Sequence, residues 1–158
     1  MIKIRWVVTD DISNITLDEF DNAYVYMGIC GHFDITVNEH REGMYLKNET
    51  EMLDCDGFED ILHWIDNLFC ALNTIKNGED YEMPMLNLVR IKFKFHLEQK
   101  LQISCMDVES NDIEWMEEVE VQEFEEEIQN HRKRLIEYIK KENPELLKSR
   151  WLEKLLDV

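Results

Sequence analysis

The sequence predicts an α+β domain: an antiparallel β-sheet packed on a central amphipathic helix (about 57–77) and a C-terminal helix (about 121–142). Three observations carry this. Phe58, Ile61, Leu62, Ile65, Leu68, Phe69, Leu72 and Ile75 recur at the three-and-four spacing of one helix face. Ile91, Phe93, Phe95 and Leu97 alternate with Lys92, Lys94 and His96, the period of a half-buried strand. From Val121 the period changes again, and Val121, Phe124, Ile128, His131, Leu135, Tyr138 and Ile139 fit a second helical stripe. With 158 residues, 44% of them hydrophobic, the chain has material for one core, so a single domain over 1–158 is expected.

Taken in order, residues 2–9 alternate around Ile2, Ile4, Trp6 and Val8 and read as a strand. Ile15–Asn22 suits either a helical turn or a strand. Tyr24, Val25 and Tyr26 suggest a strand over 23–30. Phe33, Ile35 and Val37 put one face of a strand over 32–38, with a polar turn over 38–43 and a short return strand at 44–47. Asp56 is the expected cap of the central helix, with Glu59 in capping-box position and Gly78 as the closing left-handed residue. The outward face of that helix carries Glu59, Asp60, His63, Asp66, Asn67, Asn73 and Thr74. A three-residue turn at 98–100 sets Leu97 opposite Leu101, Phe95 opposite Ile103 and Phe93 opposite Cys105, all on one face. Residues 113–120 read as an edge strand. Asn143–Pro144 ends the late helix, and a short helix is expected over 145–156.

The charge balance narrows the partners. Lys and Arg number 17 against 35 Asp and Glu, a formal charge of −18. Nucleic acid and anionic membranes should repel such a chain, and a basic protein is its natural complement. Eleven acids and no Lys or Arg fall within 107–127. This run reads either as a solvated face supporting a helix start or as a partner-binding surface. The four cysteines, at 30, 55, 70 and 105, form no metal or disulfide pattern and suit a reducing cytoplasm. The first ten residues lack a signal-peptide core, and no run is long enough to span a bilayer.

A search for chemistry returns little. His32 and Asp34 share a strand face and offer two metal ligands without a third, so a surface pair is the plainer reading. His131 lies on an apolar stripe and reads as a buried, hydrogen-bonded histidine. No nucleophile elbow and no Gly-rich phosphate loop occurs. Cys105 faces inward, while Cys70 is the better candidate for an exposed thiol. No cofactor is expected, and the chain reads as a non-enzymatic protein-binding module. Trp115, ringed by Glu114, Glu117 and Glu118, suits an interface anchor, against the alternative of an ordinary inward-facing strand residue.

One series of residues looks familiar. Gly31-His-Phe33-Asp-Ile35-Thr-Val37-Asn38 is followed by a hairpin, a helix with Leu62-His-Trp64-Ile65, then Phe93/Phe95, Leu101-Gln-Ile103-Ser104 and a late amphipathic helix. Over about 23–142 this order resembles small acidic proteins of Firmicutes, some of which look like immunity proteins of polymorphic toxin systems. The resemblance implies a partner, a secreted toxin domain that is often a basic nuclease, whose active site the protein blocks. It assigns no functional residue.

The expected binding surface is therefore Glu114, Trp115, Glu117, Glu118 and Glu120, with Glu59, Asp60 and Asp66 of the central helix as a second patch. The rival readings are a small-molecule enzyme or ligand-binding protein whose site forms only in three dimensions, and an inhibitor that mimics nucleic acid with carboxylates. An exposed sheet edge would also allow a homodimer.

Overall fold

The computed structural model describes residues 1–23, 28–44, 59–83, 89–95 and 99–157. Its strands form two antiparallel sheets where the sequence suggested one. In the first, β2 (Cys30–Val37) pairs on one side with β1 (Ile2–Val8) and on the other with β3 (His40–Met44) and β4 (Glu59–Asp60). In the second, β5 (Tyr81–Glu82), β6 (Val89–Phe95), β7 (Lys100–Asp107) and β8 (Ile113–Glu120) follow one another in order. The division falls at α2 (Ile61–Lys76), which leaves β4 and precedes β5. The apolar faces of both sheets, α2 and α3 (Val121–Glu142) contribute to one buried cluster.

The alternation in β1 and β2 decides which face is inside. Trp6 lies opposite Phe33, Ile4 opposite Ile35 and Ile2 opposite Val37, and all six are buried. The return to β3 is tighter than the sequence suggested. Asn38 takes φ 53°, a left-handed geometry that asparagine tolerates. The chain therefore reverses in two residues, and His40 already pairs with Val37. Residues 45–47 lie outside the described residues, as do 24–27 of the strand expected at 23–30.

The second hairpin is shifted from the expected register. Phe95 lies opposite Leu101, Phe93 opposite Ile103 and Ile91 opposite Cys105, with Gln99 at φ 63° before β7 begins. The displacement is two residues, so parity is unchanged, and Ile91, Phe93, Leu101, Ile103 and Cys105 still face the core. Leu97 lies outside the described residues.

Helix starts depend on local hydrogen bonds. The ambiguous stretch becomes α1 (Leu17–Ala23) because Thr16 and Glu19 form a reciprocal capping box: Glu19 N donates to Thr16 Oγ1 at 3.1 Å and Thr16 N to Glu19 Oε2 at 2.9 Å. The central helix starts at Ile61, later than about 57, because Asp60 and not Asp56 caps it; His63 N donates to Asp60 Oδ1 at 3.2 Å. Asp56 and Phe58 lie outside the described residues. Asp60 Oδ1 also accepts from Ile29 N at 3.3 Å, and a Cβ on Gly28 would sit 2.2 Å from the same carboxylate, so only glycine fits there. Gly78, at φ 78°, closes the helix as expected.

The late helix occupies Val121–Glu142, the expected span. After it, the single short helix expected is instead two 3-10 turns, Pro144–Lys148 and Arg150–Leu152, and one α-turn, α4 (Glu153–Leu156). Ser149 interrupts them: its hydroxyl donates to the Asp21 carboxylate and accepts from Trp151 N at 3.2 Å. No described helix is long and apolar enough to cross a membrane.

Helix α3 also closes the free edge of β1. Ile2 N donates to Glu123 Oε1 at 2.9 Å and Ile4 N to Glu127 Oε1 at 2.7 Å, so two acids of the 107–127 run satisfy backbone donors that would otherwise template another strand. The hydrogen bonds continue inward. Trp6 Nε1 donates to His131 Nδ1 at 2.9 Å, and His131 Nε2 lies 3.2 Å from Glu127 Oε1. An acceptor Nδ1 requires the neutral ring, with its proton on Nε2. Burial lowers the His131 pKa below its ordinary 6.5, the nearby Glu127 carboxylate opposing it. The folded value thus lies below the unfolded one. This stabilisation is complete above pH 6.5 and is lost as pH falls from there toward the folded value. Thermal melts from pH 8 to about pH 5 should show Tm falling in wild type, and less steeply in His131→Gln, whose amide keeps both bonds without titrating. Parallel curves would exclude His131 as the source.

Candidate functional site

Strand β8 holds the residues to which the sequence points first. The pairs Cys105–Trp115 and Ile103–Glu117 place Trp115 and Glu117 on the core side, while Met116, Glu118 and Glu120 face out. Trp115 is only 8% exposed. Its Nε1 donates to Glu42 Oε1 at 2.9 Å and its ring stacks on His40 at 5.0 Å. It is the inward-facing strand residue of the alternative reading. Glu117 is also engaged internally, accepting from Asn38 Nδ2 at 2.6 Å and lying 3.0 Å from His40 Nε2. Glu120 is exposed, pairs with Lys100 and directly precedes α3.

A β-bulge separates Ile113 from Trp115. Met106 lies opposite Ile113 while Cys105 lies opposite Trp115, so Glu114 is the extra residue. The bulge has two results. Ile113 is 54% exposed beside Met116 at 45%, both on the face away from the helices. Glu114 turns toward Glu42 and Cys105, their potential ligand atoms lying within 4.8 Å of one another. Burial pushes the Cys105 thiol far up, reinforced by the charge of Glu42, its hydrogen bond, and the charge of Glu114. A thiolate and two carboxylates are donor types that divalent cations take. A protonated thiol donating to Glu42 accounts for the same arrangement without an ion.

The second expected patch divides. Glu59 and Asp60 precede α2 and belong to β4, so they are not on its outward face. Glu59 is 5% exposed and its Oε2 accepts from Trp64 Nε1 at 2.8 Å. Asp60 is the cap described above. The pair His32–Asp34 is buried as well, not a surface pair, and Asp34 accepts two hydrogen bonds from Arg5.

Asp66 is different. It lines a cavity of about 400 Å³ with His63 and Asn67 of α2 and Arg150, Trp151, Glu153 and Lys154 of the C-terminal segment. Its Oδ1 is closed to solvent and takes no hydrogen bond. Burial raises its pKa above the ordinary 3.8, with Lys154 and His63 opposing. A raised folded value means that Asp66 favours folding fully only below pH 3.8, and that this contribution is lost as pH rises through the folded value. At neutral pH the carboxylate is a net cost. Asp66→Asn should therefore raise Tm at pH 7, with the gain shrinking toward pH 3.8. A Tm that drops at pH 7 would refute this.

Around the cavity, Asn67 Nδ2 donates to His63 O at 2.8 Å and Tyr81 OH donates to Asn67 Oδ1 at 3.0 Å. Cys70, expected to be the more exposed thiol, is half-buried. Its pKa is raised by burial and then by Asp66, so at neutral pH it is a protonated, poor nucleophile.

No protein-family model, no curated protein and no solved structure matches this chain. Sequence reasoning missed Ile113 and Met116 as exposed apolar residues, and it missed the C-terminal wall that faces Asp66. The signal for the first was present: Met116 sits at outward parity between Trp115 and Glu117. Nothing local in the sequence places Trp151 or Lys154 near Asp66.

Proposed function

We propose that this chain is a non-enzymatic, acidic protein-binding module that docks a basic partner on the outer face of β8, as an immunity-type inhibitor docks a basic toxin domain. The observation that carries the reading is the pair of exposed apolar side chains, Ile113 and Met116, beside the exposed carboxylates Glu118 and Glu120. Exposed apolar side chains with a charged rim are the anatomy of a docking surface. Methionine adapts its shape to a partner, and exposed carboxylates beside it steer a basic protein into contact. The helices pack on the other face of this sheet and leave β8's outer side uncovered among the described residues.

The test is capture from extracts of the source organism, using wild type and the variants Met116→Asp and Glu118→Lys. A basic protein should be retained at low salt and largely released when salt rises past about 0.15 M, where surface charges more than roughly 8 Å apart are screened. Each variant should weaken retention by about tenfold. Recovery of no basic protein, or of one whose retention ignores both substitutions, would remove the reading.

A further inference from the structure

We propose that the cavity between α2 and the C-terminal segment binds a small zwitterion of the α-amino-acid class, Asp66 taking the ammonium and Lys154 with Arg150 the carboxylate. This site stands apart from the β8 surface.

The cavity walls carry both signs of charge, Asp66 and Glu153 against Arg150 and Lys154. A ligand bearing only a cation would meet Lys154 and Arg150, and one bearing only an anion would meet Asp66 and Glu153. A molecule that carries an ammonium and a carboxylate on one carbon offers each wall its complement. The volume, about 400 Å³, lies within the range of small-molecule sites and is far larger than an ion needs.

The walls are also held in place, which lowers the ordering cost of binding. Trp151 Nε1 donates to Asp21 O at 3.2 Å, and the Arg150 guanidinium lies 4.7 Å from the Trp151 ring centroid. That guanidinium spends one contact on Asp21 O, at 3.3 Å, and has five N–H donors in all. The segment is tied down by Arg132, which is 6% exposed, donates to Leu155 O and lies over the Phe69 ring. Asn67 is fixed on both sides of its amide.

Asp66 supplies the last argument. A carboxylate oxygen withdrawn from water and left without a donor is a cost that folded proteins seldom retain. An ammonium in the cavity adds positive charge beside a carboxylate whose burial Lys154 and His63 oppose only in part.

Calorimetric titration of the full chain tests the proposal, with each proteinogenic amino acid, putrescine as the cation alone, and propionate as the anion alone. At least one amino acid should bind with Kd in the micromolar-to-millimolar range, and putrescine and propionate at least about tenfold more weakly. Asp66→Asn and Lys154→Met should each weaken that binding by about tenfold or more. Thermal melts check that both variants fold, and Asp66→Asn should melt above wild type. The proposal is overturned if no amino acid binds at about 10 mM, or if either probe of one charge sign binds as tightly. It is equally overturned if binding survives in both folded variants.

Discussion

Alanine in place of Trp64 is expected to cost about 3–5 kcal/mol, a large part of the roughly 5–15 kcal/mol that holds a typical domain together. The side chain is 1% exposed and its ring stacks on Phe33 of β2 at 4.7 Å, 15° from parallel. It therefore bonds α2 to the first sheet through apolar area, and alanine leaves a cavity that neighbouring Leu and Ile side chains fill only in part. A second contribution is polar: Trp64 Nε1 is a donor to Glu59, itself buried. Trp64→Phe separates the two, because phenylalanine keeps most of the apolar contact and drops the donor. It should cost about 1–3 kcal/mol, the range for withdrawing a partner from a buried acceptor. Urea unfolding of the three proteins measures both losses. A loss below about 1 kcal/mol for the alanine variant would mean that the ring is not part of a close-packed core. The result also bears on function: a large polar contribution makes Glu59 a buried acceptor rather than a member of the binding surface.

The elements that could be read from the sequence are those whose signal is local and repeated. Alternation located β8 at 113–120, and the three-and-four stripe located α3 at 121–142, because each pattern recurs over a whole element and is reinforced by a change of period at residue 121. What the sequence hid depends on single residues or distant pairs. The start of α2 turned on which of two aspartates caps it. The β6–β7 register lies two residues from the expected one, and Gln99 takes a left-handed geometry just before β7 that glutamine does not announce. The bulge at Glu114 exposed Ile113 against its parity. Of the acids expected to meet a partner, Glu59, Asp60 and Glu117 instead serve internal donors, and within the same 107–127 run Glu123 and Glu127 satisfy β1. Composition counts charges but does not say which are occupied. The cavity at Asp66 joins two segments far apart in sequence, and only packing brings them together.

Asp34→Ala should be comparably severe, at about 3–5 kcal/mol, for an electrostatic reason. Asp34 is fully buried, and Arg5 grips it with two hydrogen bonds, Nε to Oδ1 at 3.0 Å and Nη2 to Oδ2 at 2.7 Å. The Arg5 side chain is only 14% exposed, so removing the carboxylate leaves a guanidinium in a poorly hydrated site without its bidentate partner. Moving either charge out of water is unfavourable, and the attraction between them roughly offsets that. The pair is thus costly to break and cheap to replace. This gives a second, opposite expectation: Arg5→Met combined with Asp34→Leu should recover most of the lost stability, because the two cross-strand positions then pack as apolar neighbours. The strands themselves explain why the pair is rigid, since Arg5 and Asp34 lie directly opposite in the β1–β2 register. A double-mutant cycle by chemical unfolding reads the coupling directly. Additive losses would show that the two side chains act independently and that Asp34 is tolerated for some reason other than Arg5.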